Sequence, residues 1–78
     1  MTKIINGIAY DTKRMDLLHT RANSVAYNIM GSTTLLKDPL TGHFLIREHA
    51  WNRVDGETVI NDLRVTTPEH AKAILQQP

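Results

Sequence analysis

Four histidines are the side chains of this 78-residue chain best suited to chemistry, because imidazole binds metals and carries protons near neutral pH. They are His19, His43, His49 and His70. A zinc site on a helix needs two histidines four residues apart and a third ligand, and no pair here has that spacing. On one strand face, His43 and His49 would stand roughly 20 Å apart, too far for one ion. We therefore predict no metal site and no cofactor, and interpret the histidines as surface or boundary residues.

Nucleophilic and acid–base catalysis are not indicated either. Ser32 lacks the Gly-x-Ser-x-Gly turn that exposes a nucleophilic serine, and the four glycines are isolated, so they form no phosphate-binding loop. Asp55 and Glu57 could meet in space, as could Glu48 and Asp62. In a chain with 22% charged residues, such acids are usually solvated or paired at the surface. We predict that the protein has no catalytic residues and is not an enzyme.

The sharpest pattern is a row of alternate residues after the central loop. If the strand from His43 continues, its odd-numbered residues share one face. Arginine and tryptophan are enriched at interface hot spots, so we predict that this face contacts a partner through four residues. They are Arg47, His49, Trp51 and Arg53. The alternative is that Trp51, the only tryptophan, is a core anchor whose rim the arginines solvate.

The row must be positioned by strands, which turn signals delimit along the chain. Asn6-Gly7 predicts a two-residue hairpin turn, and the proline-glycine loop Asp38–Gly42 predicts a second hairpin. Gly31-Ser32 predicts a turn or bulge, and Asp55-Gly56 another turn. The strand-like segments cover residues 3–5, 8–10, 25–30, 33–37, 43–47 and 57–65.

Two helices are predicted to pack on the sheet. Met15, Leu18 and Ala22 recur at helical spacing after a capping Asp11-Thr12, which predicts a helix over residues 12–22. Thr67-Pro68-Glu69 is typical of a helix start, with Ala71, Ile74 and Leu75 as the buried stripe. Each helix has one narrow apolar stripe. We therefore expect a single α+β domain over residues 1–78, an antiparallel sheet of three to five strands with two helices packed on one face.

Within the strand from His43, we expect the even-numbered residues Phe44 and Ile46 to face the core. The odd-numbered row then points away, toward solvent or a partner.

Composition limits the partners and the compartment. Nine Lys and Arg against eight Asp and Glu give a net charge of +1, whereas nucleic-acid binders usually carry a basic excess, so direct nucleic-acid binding is not expected. Cysteine is absent, although a secreted domain this small would usually carry disulfides. The N-terminus has no long apolar run. We expect a cytoplasmic protein with no membrane segment.

Three segments, INGIAYDT, TLLKDPLTGHFLI and TTPEHAKAIL, resemble short accessory proteins of phages and integrative elements. Those proteins open with an Asn-Gly strand and a Tyr-Asp-Thr helix start, continue with a hairpin, and close on a helix introduced by serine or threonine. This chain departs from the pattern at Leu36, where an aromatic is common, and in its closing helix, which lacks the usual tryptophan. The segment Glu48–Thr58 has no counterpart. The matching residues are structural ones, so the resemblance carries a fold better than a function.

Small, nearly neutral phage proteins without cysteine recurrently inhibit a host defence complex, anti-CRISPR proteins being the prominent example. The resemblance therefore implies a non-enzymatic inhibitor in the host cytoplasm that binds such a complex, a CRISPR effector for instance. It would block nucleic-acid binding or nuclease recruitment. The alternative is a small nucleic-acid-binding or regulatory protein that uses four basic residues along the sheet: Lys37, Arg47, Arg53 and Arg64.

Overall fold

Six strands, one short 3-10 turn and one α-helix make up the fold in the computed structural model, which describes residues 1–76 except the side chain of Val25. The 3-10 turn is Thr12–Arg14 and the helix, α1, is Pro68–Leu75. The strands are β1 (Thr2–Ile5), β2 (Ile8–Asp11), β3 (Asp16–Ala26), β4 (Ile29–Lys37), β5 (Phe44–Asn52) and β6 (Thr58–Thr66).

The strands form two antiparallel sheets, a hairpin of β1 and β2 and a four-stranded meander in the order β3-β4-β5-β6. Both predicted hairpins are confirmed. Asn6 and Gly7 adopt φ angles of 50° and 79°, the left-handed conformation that a tight two-residue turn requires. In the loop between β4 and β5, the carboxylate of buried Asp38 accepts a hydrogen bond of 2.8 Å from the hydroxyl of Thr41, which fixes the loop conformation.

The predicted helix over residues 12–22 is wrong. Only Thr12–Arg14 is helical, as a 3-10 turn, and from Asp16 onward the segment is β3, which pairs with β4 along its whole length. Leu18 and Ala22, which suggested a helical stripe, are both exposed. Leu18 is the unpaired residue of a bulge. Long-range pairing with β4 therefore overrides an apolar spacing that local propensity supports only weakly.

Because this segment is a strand, the predicted fold class is also wrong. The structure is mostly β, with 60% of the chain in strands, and is not an α+β fold with two helices packed on one face. The predicted turn at Gly31-Ser32 is also wrong, since both residues lie inside β4. The chain turns instead at Tyr27-Asn28, where Asn28 takes a φ of 64°. The helix start at Thr67 is confirmed, because its side chain accepts a hydrogen bond from the backbone N–H of His70.

Core residues lie on both faces of the four-stranded sheet. On one face, Leu35 and Ile46 pack against Ala71 of α1, and we call this the helix face. On the other, which we call the hairpin face, Tyr10 of β2 packs against three leucines of the sheet: Leu36, Leu45 and Leu63. Leu45 is 0% exposed and Ile46 2% exposed. The expectation that only even-numbered residues of β5 face the core is therefore wrong.

Both core clusters lie in the half of the sheet that includes the end of β4 and the start of β5. The other half, which we call the distal half, ends in the turns after β3 and β5. Apolar side chains there remain exposed, among them Tyr27, Val54 and Ile60. An amide hydrogen bond of 2.8 Å from Arg53 to the carbonyl of Asn28 joins the two turns. The distal half thus offers sheet surface that the core does not use.

Candidate binding surface

Strand β5 places three of the four predicted contact residues on the hairpin face. Arg47 lies opposite Leu63 of β6, and Leu63 belongs to the core under the hairpin. Residues directly opposite each other in a ladder point to the same face, so Arg47 is on the hairpin face. His49 and Trp51 follow it at spacings of two along the continuous strand, so they share its face. We call these three residues the Arg47–Trp51 row.

The aromatic end of the row is a stacked pair. The ring centroids of His49 and Trp51 are 5.2 Å apart and their planes are inclined by 34°. Both side chains are half-buried, and neither belongs to a core cluster. The structure therefore does not place Trp51 as a core anchor. Stacking restrains both rings and leaves part of each exposed, which lowers the entropic cost of contact with a partner.

Small residues border the row on the side of β3 and β4. The ladder sets His49 beside Ser32, and Ser32 beside Ala22, while Arg47 lies beside Thr34. Arg47 and His49 therefore stand beside small side chains, whereas Trp51 lies beside the larger Met30. Because the Arg47 and His49 side chains are larger than their neighbours, a partner can contact their sides as well as their ends. Neighbours of equal size would cover those sides.

Arg47 forms no ion pair with any residue among 1–76. Its side chain is half-buried, and its Nε atom is buried without a hydrogen-bond partner among residues 1–76. The neighbouring acid Glu48 points to the helix face, where it forms an ion pair of 3.0 Å with Arg64. A buried donor left without an acceptor costs about 1–3 kcal/mol. An acceptor supplied by a partner would recover that free energy once a shift of the Arg47 side chain exposes Nε.

Arg53 does not extend the row, because β5 ends at Asn52 and the chain then turns. The exposed side chain of Arg53 belongs to the distal turns. At the other end, His43 precedes β5, and its Nδ1 atom lies 2.8 Å from the hydroxyl of buried Tyr10. The sequence prediction thus located the row correctly on β5 but extended it past both ends of the strand.

The four basic residues of the alternative hypothesis do not share a surface. Arg64 is opposite Ile46 on the helix face, whereas Arg47 is on the hairpin face. Lys37 ends β4, with its ammonium 5.5 Å from the centre of the Phe44 ring. Lys37, opposite Phe44, shares the helix face with Arg64, but Arg47 is on the hairpin face and Arg53 lies in a turn, so the four residues form no continuous basic stripe.

Sequence reasoning missed a cleft on the helix face, because it had assigned residues 12–22 to a helix. The cleft has a volume of about 200 Å³, and four basic side chains are among its lining residues: His19, Arg21, Arg64 and His70. With β3 recognised as a strand, the pairing of His19 with Leu35 and of Arg21 with Thr33 would have placed two of them on this face.

One ion pair fixes the hairpin to the edge of the sheet. The ammonium of Lys3 in β1 lies 2.8 Å from a carboxylate oxygen of Asp62 and donates a second hydrogen bond to the carbonyl of Leu63. This hydrogen bond from Lys3 lowers the pKa of the Asp62 carboxyl below its ordinary value. The hairpin that covers the core leucines is therefore also anchored through a polar contact.

Within residues 1–76, no cluster of three histidine or acidic side chains is arranged to hold a metal ion. None of the helical segments described there has the length and apolarity needed to cross a membrane. Comparison with protein-family models, curated proteins and solved structures gives no match.

Proposed function

We propose that this chain is a non-enzymatic inhibitor that binds a host defence complex in the host cytoplasm, in the manner of an anti-CRISPR protein. The observation that carries the binding part of the proposal is the Arg47–Trp51 row, an arginine and a stacked His–Trp pair outside both cores. The class of target rests on the resemblance to phage accessory proteins.

The size of the surface supports a protein partner. A standard interface takes about 800 Å² from each partner, and the molecule exposes 5335 Å² in all. Its shape is flat, with principal extents of 38 × 30 × 18 Å. One broad face can therefore supply an interface of ordinary size, and Trp51 and Arg47 are of the residue types that most often dominate its binding free energy.

The charge of the row favours one mode of inhibition. A channel that binds nucleic acid is basic, because it neutralises phosphates, and it would repel Arg47. A surface that recruits a nuclease has no such requirement and can present a carboxylate to the guanidinium. Blocked nuclease recruitment therefore agrees better with Arg47 than occupation of the nucleic-acid channel.

The test is expression of the chain in hosts that each carry one defence system, with phage plating efficiency as the measurement. We expect restored plating in at least one host, and loss of that effect in His49→Ala. His19→Ala is the matched control, since it removes the same side chain from the helix face and should retain the effect. Defence that stays intact in every host, with no stoichiometric protein partner in a pull-down, would overturn the proposal.

A further inference from the structure

A cleft of about 340 Å³ lies on the hairpin face between the 3-10 turn and the sheet. Lys13 lines it from the 3-10 turn, and Thr34 and Arg47 line it from β4 and β5. Its apolar lining comes from Met15, Leu17 and Leu36. This volume is at the lower end of the range for small-molecule pockets, about 300–1,000 Å³.

The cleft is positively charged. Arg47 and Lys13 both line it, and no acidic residue does. The nearest acids along the chain are Asp11, which accepts a hydrogen bond from the backbone N–H of Lys13, and Asp16, which lies opposite Lys37 and points to the other face of β3 from the lining residue Leu17. Neither Arg47 nor Lys13 forms an ion pair within the described part of the chain.

Arg47 also lacks an acceptor. Its Nε atom is the one buried side-chain donor without a partner among the described residues. Buried polar groups are nearly always hydrogen-bonded, and the Arg47 side chain that carries this unpaired Nε also lines the cleft. An acceptor in the cleft reaches Nε once the Arg47 side chain shifts to expose it. A guanidinium is a planar fork that suits the two oxygens of a carboxylate or a phosphate.

We infer that this cleft binds an oxyanion, a carboxylate or phosphate group carried on a small apolar body. Arg47 hydrogen-bonds the oxygens, Lys13 adds a second positive charge, and the leucine and methionine side chains contact the apolar body. Two kinds of ligand combine an oxyanion with an apolar body in this way: a free small molecule, and a peptide in which an acidic side chain is next to an apolar one. The inference goes beyond the proposed inhibition and does not depend on it.

The test is an NMR titration of the full chain with four probes: benzoate, phenyl phosphate, benzyl alcohol and the blocked tripeptide acetyl-Leu-Glu-Leu-amide. The Nε–H resonance of Arg47 reports directly on a new acceptor. We expect at least one anionic probe to shift it, together with the amides of Lys13 and Leu17, and uncharged benzyl alcohol to leave it unmoved. The tripeptide binding more tightly than the small anions identifies a peptide side chain as the source, and the reverse identifies a free small molecule.

Two charge-matched variants complete the test. Arg47→Gln should weaken anion binding roughly tenfold or more, the loss expected for a charge-assisted hydrogen bond. Arg21→Gln removes the same charge from the helix face and should leave binding unchanged. If Arg47→Gln fails to fold, Lys13→Gln at an exposed position should still weaken binding several-fold. An Arg47 resonance that no anion moves, or equal weakening by Arg21→Gln, would overturn the inference.

Discussion

Adjacent residues of β5 should both be costly to truncate, because the sheet has a core on each face. Leu45 is 0% exposed and packs under the hairpin, and Ile46 is 2% exposed and packs under α1. Truncation of a buried leucine or isoleucine to alanine costs about 2–5 kcal/mol. A domain of this length has a total stability of roughly 4–12 kcal/mol. We therefore expect Leu45→Ala and Ile46→Ala each to lose about 3 kcal/mol, a large share of the whole.

Urea unfolding followed by circular dichroism and by the fluorescence of Trp51 measures both losses. The control is Ile4→Ala in β1, where the side chain is 72% exposed and truncation should change stability by less than about 0.5 kcal/mol. If the sheet had a core on one face only, one of the two adjacent side chains would face solvent, and its truncation would leave the free energy of unfolding nearly unchanged. A loss of less than about 1 kcal/mol for either Leu45→Ala or Ile46→Ala would therefore refute the two-sided core.

Three further outcomes follow from single contacts. Tyr10→Phe removes the buried hydroxyl that lies 2.8 Å from Nδ1 of His43. We expect it to lower the free energy of unfolding by about 1 kcal/mol in the same urea assay, and no change would show that this contact contributes nothing. Lys3 lowers the pKa of Asp62, so the stabilisation from that pair is fully present above the ordinary carboxyl pKa of 3.8 and is lost as the pH falls through the depressed pKa. The stability difference between the wild type and Lys3→Met should therefore narrow in acid, and a difference independent of pH would contradict this. Gly7→Ala should cost roughly 1 kcal/mol in thermal denaturation, because Gly7 holds a φ of 79°, and an unchanged melting temperature would contradict the turn conformation.

The features predicted correctly from sequence are those whose conformation is determined by neighbouring residues alone. Asn6-Gly7 forms its turn because those two residues tolerate left-handed dihedrals, and Thr67-Pro68 starts a helix because a capping oxygen meets orphan N–H groups. Neither depends on the rest of the chain.

The incorrect predictions concern segments whose conformation depends on residues far away in the sequence. Residues 16–26 are a strand because β4 is available to pair with them, which no local pattern shows. The turn that follows this strand is at Tyr27-Asn28 and not at Gly31-Ser32 as predicted, although asparagine is also a residue type that tolerates positive φ, and Asn28 adopts it.

The candidate site was predictable only in part. Alternation along β5 correctly grouped Arg47, His49 and Trp51, because the strand is unbroken from Phe44 to Asn52. It could not show that the β1–β2 hairpin folds back over Leu45, since that packing joins residues far apart in the sequence. The cleft beside Arg47 was missed for the same reason, because Lys13 reaches it only through this fold-back and the 3-10 turn.

The most direct test of the claim that the Arg47–Trp51 row is a contact surface is a quantitative affinity purification. The wild type, Trp51→Ala and the helix-face control Arg64→Gln are each expressed in a host with several defence systems, and co-purified proteins are measured by mass spectrometry. We predict that a component of one defence complex co-purifies in stoichiometric amount with the wild type and with Arg64→Gln, and is lost with Trp51→Ala that retains its fold. Equal recovery with Trp51→Ala, or no stoichiometric partner with the wild type, would contradict the claim.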